Sequence, residues 1–511
     1  MEWITHLLAR AKYLVNSFGA AVRAPPEILI MICSYLGTEE GVFSASQVCH
    51  HWREAIIPSP PLWSRFSCRS VSRTVVGLER CKSTPVQLGF SRQLSNVALE
   101  KVLLHGNKVT SLDLRLRFDR FSGLGQLFQF SRPSVERLYI YHEELYGADE
   151  FWETRELWGR LPSLHELFVR HYSILIGWFT APNLTHLALD EAGPGLNVTV
   201  KPILDLLRGC PLLESLFIAQ FHIPQGSTRK YSCVSLPHLR SIELGASEAG
   251  SGLITRLLFP PSVAVGFRMG DASQVWSRNP LTNMDTMEHV LGRVDIRSIT
   301  LAAGSPGGPS REAGLLVRFE WLCGSLEITF PLETGVIIRN FFFGPSGMLF
   351  SGHVPQIENV RELHVVGCPF EDGLELHHVH AAMPNLVSIS FFHYGGPRVF
   401  GLLTPTDLLS TPFPHLERIM VLGPESGLRE VVKTRKDRGV PLKTLILGRG
   451  SGWFEYDHED REALREFVGD LRIECPTEIL GWGTENEVLK VWSTGDTPGP
   501  VSPNRKLMIP G

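Results

Sequence analysis

A short apolar pattern that recurs along most of the chain is the feature that most constrains how its 511 residues can fold. Each copy reads apolar-x-x-apolar-x-apolar, and ten of the eleven copies follow a proline or asparagine that lies within the two preceding residues. Eight of the ten steps between copies are 20 to 30 residues long, and the other two are 57 and 64 residues. A period of this length is typical of stacked units in a solenoid. The first positions of the eleven copies are Val109, Val135, Leu164, Leu184, Leu213, Leu239, Ile296, Val360, Leu386, Leu416 and Leu442.

The last two apolar positions of each copy are two residues apart, so both side chains point to one face of a short strand. Some connecting segments have helical spacing, as in Val200–Leu207 and Ala463–Leu471. Alternating strands and helices require a parallel sheet with crossover connections. We therefore predict an α/β solenoid with a parallel sheet over residues 67–480, with degenerate units at Val263–Phe267 and Leu326–Phe330 in the two long gaps.

Residues 24–66 have a different, all-helical pattern. The sequence Pro25–Glu27 suits a helix start, because proline is tolerated in the first turn and glutamate favours the positive end of the helix dipole. A later run predicts a helix with Val48, Trp52 and Ile56 on one face. Three short helices bury little apolar surface, so this segment is expected to pack against something else. The apolar face of the first helix is predicted to contain Ile28, Leu29, Ile32, Tyr35 and Leu36.

The two ends of the chain differ from these regions. Residues 1–23 place Trp3, Leu7 and Phe18 on one helical stripe, which predicts an amphipathic helix. That helix either packs on its own protein or binds a partner or a membrane surface. Residues 481–511 are predicted to form a C-terminal extension that is largely a disordered tail, because its end is rich in glycine, proline and serine.

Composition and charge argue against several function classes. With 49 Lys and Arg against 53 Asp and Glu, the net charge is −4, which disfavours broad nucleic-acid binding. The longest obvious apolar run, Ile28–Cys33, is far shorter than the roughly 20 residues of a transmembrane helix, and no signal peptide is evident. The nine cysteines are scattered without a C-x-x-C pair, which is typical of reduced thiols. We expect a cytoplasmic or nuclear protein without a membrane span.

A search for catalytic and metal-binding motifs finds no G-x-x-x-x-G-K, G-x-S-x-G or H-E-x-x-H sequence. We interpret Gly448–Gly452 as a flexible turn and the histidines of His377–His380 as polar surface residues that lack further metal ligands. Asp457–Asp460 are interpreted as the acidic first turn of the last helix, and His50 and His51 as surface or partner-contact residues. We predict no cofactor, no metal and no enzymatic activity, with a hydrolase or transferase within the repeats as the remaining enzyme hypothesis.

The N-terminal helical segment resembles an F-box. The resemblance rests on Pro25–Leu29, on the helix ending in Tyr35–Leu36, on Val48–Arg53 and on Pro60–Trp63. It implies docking onto the Skp-type adaptor of a cullin–RING ubiquitin ligase, while the C-terminal region presents a protein substrate. The residues implied to make or support adaptor contact are Pro26, Ile28, Leu29, Ile32, Leu36 and Trp52.

The repeats are similar to the degenerate leucine-rich-repeat regions of fungal F-box proteins, including the sequence Glu79–Val86. The repeat at Val360 also reaches Cys368, the Asn/Cys position of a standard leucine-rich repeat. The resemblance implies a non-catalytic substrate-recognition subunit. The alternative is a repeat scaffold that keeps a relic F-box and works outside the ligase. It is motivated by Ala24, where the family usually has leucine, and by a middle helix that is weak in leucines.

Strand geometry supplies candidates for the substrate surface. Residues between and after the two inward apolar positions of a copy point to the other face of the sheet. Aromatic and arginine side chains on that face are the usual anchors of interfaces. We therefore predict that Tyr139, Tyr141 and Arg170 bind the substrate. The competing interpretation is that this face is buried too, as in parallel strands that are covered on both sides.

Overall fold

The computed structural model divides the chain into two compact units, residues 1–239 (unit 1) and 240–511 (unit 2). The predicted helix at 1–23 and the predicted extension at 481–511 lie outside the described residues. The structure describes residues 24–36, 39–66, 70–90, 109–116, 135–142, 162–170, 181–190, 200–218, 231–246, 253–269, 294–303, 314–322, 324–331, 357–366, 379–380, 382–392, 403, 413–422, 427–448 and 458–474.

Unit 1 begins with short helices and continues into a sheet. The third helix begins only at His50, so Val48, which was predicted to lie on it, belongs to the preceding turn. The helices are α1 (Pro26–Ser34), α2 (Glu39–Ala45), α3 (His50–Ile56), α4 (Val71–Arg80) and α5 (Val200–Arg208), with a 3-10 turn at Pro60–Trp63. The strands are β1 (Arg65–Phe66), β2 (Val86–Phe90), β3 (Val109–Leu116), β4 (Arg137–His142), β5 (Glu166–Arg170), β6 (His186–Asp190), β7 (Ser215–Ile218) and β8 (Val234–Ser235).

Strands β1 to β7 pair in parallel and in chain order. Because Phe66 in β1 pairs with Leu88 in β2, the helical segment continues directly into this sheet. The register brings equivalent positions of successive repeats side by side, and these apolar rows are buried. One such row consists of Leu112, Leu138, Leu167, Leu187 and Leu216.

Unit 2 contains further strands and two helices among its described residues. The strands are β9 (Ser241–Ala246), β10 (Leu257–Leu258), β11 (Ala264–Met269), β12 (Ser298–Ala303), β13 (Gly314–Trp321), β14 (Gly324–Pro331), β15 (Glu362–Val366), β16 (Ser388–Phe392), β17 (Arg418–Leu422), β18 (Thr444–Gly448) and β19 (Asp470–Glu474). The helices are α6 (Leu428–Asp437) and α7 (His458–Phe467), with a 3-10 turn at Ile357–Asn359.

The sheet of unit 2 is mostly parallel but contains an antiparallel insertion. β11 is parallel to both β9 and β14, β12 is parallel to β15, and β15 to β19 pair in parallel in chain order. By contrast, β13 is antiparallel to both β12 and β14. The prediction of a parallel sheet is wrong for β13, because only two residues separate its end at Trp321 from the start of β14 at Gly324, too few for a crossover connection.

The repeat pattern predicted the position of a strand in every copy but missed others, including β2 and β13. Each of the eleven copies contains a strand, and each of the eleven first positions is exposed by 4% or less. The degenerate units at Val263–Phe267 and Leu326–Phe330 correspond to β11 and β14, and the helix at Val200–Leu207 is α5. The helix predicted over Ala463–Leu471 ends at Phe467, because β19 follows it. The fold is therefore mixed α/β, with a parallel-dominated sheet.

Candidate functional site

The start of α1 is built from two prolines. The carbonyl oxygen of Pro25 accepts a hydrogen bond from the backbone N–H of Ile28 at 3.0 Å. Pro26, at the first helical position, has no N–H, which leaves one donor fewer to satisfy in the first turn. No described side chain caps this end of the helix. Instead, the carbonyl oxygen of Ala24, just before the prolines, lies 2.9 Å from Nε2 of His51 in α3.

Helix α1 has apolar side chains on two adjoining faces. Leu29 and Cys33 are fully buried against the rest of unit 1, and burial raises the pKa of the Cys33 thiol. A rotation of about 100° per residue places a second set, at i, i+3, i+4 and i+7, on a separate, outward face. We call this second set, which is 41 to 82% exposed, the apolar strip: Ile28, Met31, Ile32 and Tyr35.

The residues predicted to contact an adaptor fall into different environments. Pro26, Ile28, Ile32 and Leu36 are exposed, and Trp52 is half-buried. Leu29 is buried, so its position is that of a packing residue that supports α1 from inside. The structure thus brings Ile28 and Ile32 together and separates Leu29 from them.

Three exposed apolar residues of this segment were absent from the predicted contact set, one of which is Tyr35 in the apolar strip. Met31 belongs to the apolar strip, and Val48 is exposed in the turn before α3. The spacing of Met31, three residues after Ile28, is the sequence signal that could have identified it. Val48 had been placed on a helix, so its exposure in a turn had no signal in the helical pattern.

An aromatic cluster holds the helices of the site in place. The indole of Trp63 is buried, and its Nε1–H donates to the carbonyl oxygen of Ile56 at 3.0 Å. The ring of Phe43 meets the Trp63 ring edge to face, with centroids 5.0 Å apart. The guanidinium carbon of Arg80 lies 4.5 Å from the Trp63 ring, and burial lowers the pKa of Arg80. These contacts join α2, α3 and α4 around one indole.

A close approach between α4 and β1 fixes the end of the helical segment. A Cβ atom placed on Gly77 would lie 2.0 Å from Cε1 of Phe66, far inside van der Waals contact. Glycine is therefore required at position 77 for the Phe66 ring to pack against α4. Because Phe66 also belongs to β1, this contact connects the helices to the first strand of the sheet.

The predicted substrate-binding residues lie on neighbouring strands of unit 1. The structure brings Tyr139 and Tyr141 together with Phe168, whose ring centroid is 6.5 and 5.1 Å from theirs, respectively. The hydroxyl of Tyr139 donates to Oε1 of Glu166 at 2.8 Å, and burial, with Glu166 nearby, raises the pKa of this phenol. Nε of Arg170 lies 3.9 Å from Oδ2 of its neighbour in β6, Asp190.

The expectation that the tyrosines would be exposed on this face is wrong. Tyr139 and Tyr141 are 7% and 8% exposed, because each packs against Phe168 on the adjacent strand. Arg170 is half-buried and remains accessible at the edge of this group. The competing interpretation of a covered face therefore describes the tyrosines better.

The histidines weighed as a metal site are only partly described. His377 and His378 lie outside the described residues, whereas Nδ1 of His380 accepts a hydrogen bond from the backbone N–H of Phe413 at 3.1 Å. Burial lowers the pKa of His380. In the part of the chain that the structure describes, no group of three or more His, Cys, Asp or Glu side chains could hold a metal ion.

The remaining candidates have structural partners or lie outside the described residues. The helix α7 begins at His458, within the predicted acidic first turn, while Asp457 and the glycine-rich run from Arg449 to Gly452 lie outside the described residues. Arg435 is a fully buried cation whose Nη2–H donates to the carbonyl oxygen of Phe413 at 2.9 Å, and burial lowers its pKa to about 10. Phe413 has a φ of 52°, so this arginine supports a residue in a strained backbone conformation.

Comparison with known proteins gives one family match. Residues 25–69 match the model of the family described as F-box-like, and the matched segment includes α1, α2, α3 and β1. A search of curated proteins finds no match. None of the described helices is both long and apolar enough to cross a membrane.

Proposed function

We propose that this chain is the substrate-recognition subunit of a Skp–cullin–RING ubiquitin ligase and docks onto the Skp-type adaptor through the apolar strip. The observation that carries the proposal is that α1 presents large apolar side chains on both its inner and its outward face. A helix of this kind is normally covered all round, and Leu29 and Cys33 account for the inner side alone. The F-box-like match to the same residues supports the choice of an adaptor as the partner.

The adaptor contact is proposed to centre on Ile28 and Ile32, with Pro26, Leu36 and Trp52 around them. Leu29 contributes by packing α1 against the rest of unit 1 rather than by touching the partner. The contacts around Trp63 support this surface indirectly, because they fix α2, α3 and α4 relative to one another.

The repeats are proposed to form a leucine-rich-repeat-like solenoid that binds the protein substrate. Arg170 is the proposed contact residue, because it is half-buried at the edge of the aromatic group on β4 and β5. Tyr139 and Tyr141 are proposed to form the floor of this surface and to hold it in place through Phe168 and Glu166.

Binding of the full-length chain to a purified Skp-type adaptor tests the proposal. The double variant Ile28→Ala/Ile32→Ala is expected to weaken the Kd by about 30-fold or more, as for anchor residues at the centre of an interface. Leu212→Ala and Leu258→Ala are matched controls, because both leucines are 41% exposed, as is Ile28, and lie outside the strip.

A wild-type chain that does not bind the adaptor would contradict the proposal. That result would favour the scaffold with a relic F-box, for which Ala24 is the motivating residue. Equal binding by the double variant and the leucine controls would place the contact elsewhere on the chain.

A further inference from the structure

We propose, on the premise of the function proposed above, that His51 is a positioning residue for adaptor binding. Its imidazole holds the entry of α1, so that the apolar strip is presented in the orientation that the adaptor binds. The inference rests on the 2.9 Å contact between Nε2 of His51 and the carbonyl oxygen of Ala24.

The direction of this hydrogen bond follows from the chemistry of its two atoms. A carbonyl oxygen only accepts, so Nε2 of His51 carries the proton and donates it. The two residues are 27 positions apart in the chain, and the contact is partly buried. The bond therefore connects α3 to the residue that precedes α1, rather than stabilising either helix within itself.

The entry of α1 has few other polar anchors. Pro25 and Pro26 have no N–H, and no described side chain caps the helix. Ala24 has only a methyl group as its side chain, and the residue before a proline is restricted to extended backbone. Holding the carbonyl of Ala24 thus sets the direction in which the chain enters α1, and with it the position of Pro26 at the end of the proposed contact.

The neighbouring residue His50 has a different kind of partner from His51. Its Nε2 lies 3.1 Å from Oε1 of Glu54, one turn further along the same helix, and both side chains are about two-thirds exposed. This pair is local to α3 and does not reach α1. Of these two histidines, which are adjacent in sequence, only His51 is therefore connected to the start of α1.

Two near-isosteric substitutions separate the hydrogen bond from the bulk of the ring. The amide nitrogen of His51→Gln stands close to where Nε2 stood and can donate to Ala24, whereas the shorter amide of His51→Asn cannot reach it. Titration calorimetry with purified Skp-type adaptor is expected to show that His51→Asn weakens the Kd about five- to tenfold, the effect of one hydrogen bond. His51→Gln is expected to stay within about twofold of wild type, and His50→Ala to match it.

Thermal melting of each variant separates positioning from folding. The inference is supported if, at a temperature where all variants are folded, His51→Asn weakens binding while His51→Gln and His50→Ala bind like wild type. Equal Kd values for wild type and His51→Asn overturn it while leaving the proposed function intact, as does a lower Tm without any change in Kd. A wild-type chain that fails to bind removes the proposed function and this inference together.

Discussion

Helix α1 and strand β4 place the same residue type in opposite environments. Tyr35, which follows α1, is 82% exposed, whereas Tyr139 and Tyr141 of β4 are 7% and 8% exposed. On β4 each ring has an aromatic neighbour on the next strand, and the phenol of Tyr139 has a carboxylate partner in Glu166. The tyrosines of the sheet are therefore part of its packing.

This contrast shows that a candidate interface is identified by the exposure of its apolar side chains and not by the residue types alone. Exposed apolar area costs about 25 cal/mol per Å² relative to burial, so the apolar strip of α1 is a standing cost that a partner can remove. The tyrosine rings of β4 are already buried within the protein, so this face carries no comparable cost. The strip is for this reason the stronger candidate for an interface.

The largest expected effect tests the inner side of α1 against its exposed end. Leu29→Ala removes a fully buried side chain and is expected to lower the free energy of unfolding by about 2–5 kcal/mol. Leu36→Ala removes the same atoms from an exposed site and is expected to change it by less than about 0.5 kcal/mol. Urea denaturation of both variants gives the comparison. Similar losses would mean that Leu36 is covered in solution.

The next effect tests the tyrosine of β4 against that of α1. Tyr139→Phe removes the hydroxyl that donates to Glu166 and is expected to cost about 1 kcal/mol of unfolding free energy. Tyr35→Phe, at an exposed site, is expected to cost less than about 0.5 kcal/mol. Denaturation at neutral pH checks both values, and equal costs would contradict the division between packing and exposed tyrosines.

The pH dependence of the same variant sharpens this test. Burial raises the pKa of Tyr139, so the unfolded chain, with an ordinary phenol pKa of about 10, loses its proton first. The contribution is complete below that ordinary value and is lost as the pH rises above it. Between about pH 8 and about pH 11 the unfolding free energy of wild type is expected to fall more steeply than that of Tyr139→Phe. Parallel curves would contradict this assignment.

The smallest expected effect concerns an exposed polar pair on α3. His50→Ala removes the contact with Glu54 and is expected to change the free energy of unfolding by less than about 0.5 kcal/mol. Comparison with Leu29→Ala then shows how strongly burial determines the contribution of a side chain to the free energy of unfolding within one helical segment. A loss above about 1 kcal/mol would show that the pair is shielded from water.

Much of the strand architecture could be predicted from sequence, because the pattern that marks a repeat also dictates its local structure. Leu138 and Leu167 occupy equivalent positions of two copies, and this position is apolar in every copy because adjacent strands bury it in register. The pattern located β14 but neither β13 nor the antiparallel pairing of the two strands. The sequence of β13 is apolar enough for a strand, but its direction depends on the short connection after Trp321.

The candidate site was predicted in outline only. The helix start at Pro26 and the exposed Ile28 and Ile32 follow from local pattern, and the F-box-like match supports that segment. The sides of α1 could not be separated, because Leu29 lies next to Ile28 in sequence and only tertiary packing decides which one is inside. Tyr139 was misplaced for a related reason: alternation along a strand identifies a face but not what covers it.

The pairing of β1 with β2 has a mechanical consequence. Trp63 ends the 3-10 turn, and after a single intervening residue Arg65 and Phe66 are already hydrogen-bonded into the sheet. The N-terminal helices of unit 1 are therefore attached to its strands by a short, hydrogen-bonded connection rather than by a flexible linker. A flexible linker lets two parts of a protein sample a volume set by its length, whereas a short, hydrogen-bonded connection keeps them in one orientation. A partner held by these strands would therefore stand in one fixed orientation relative to the helices.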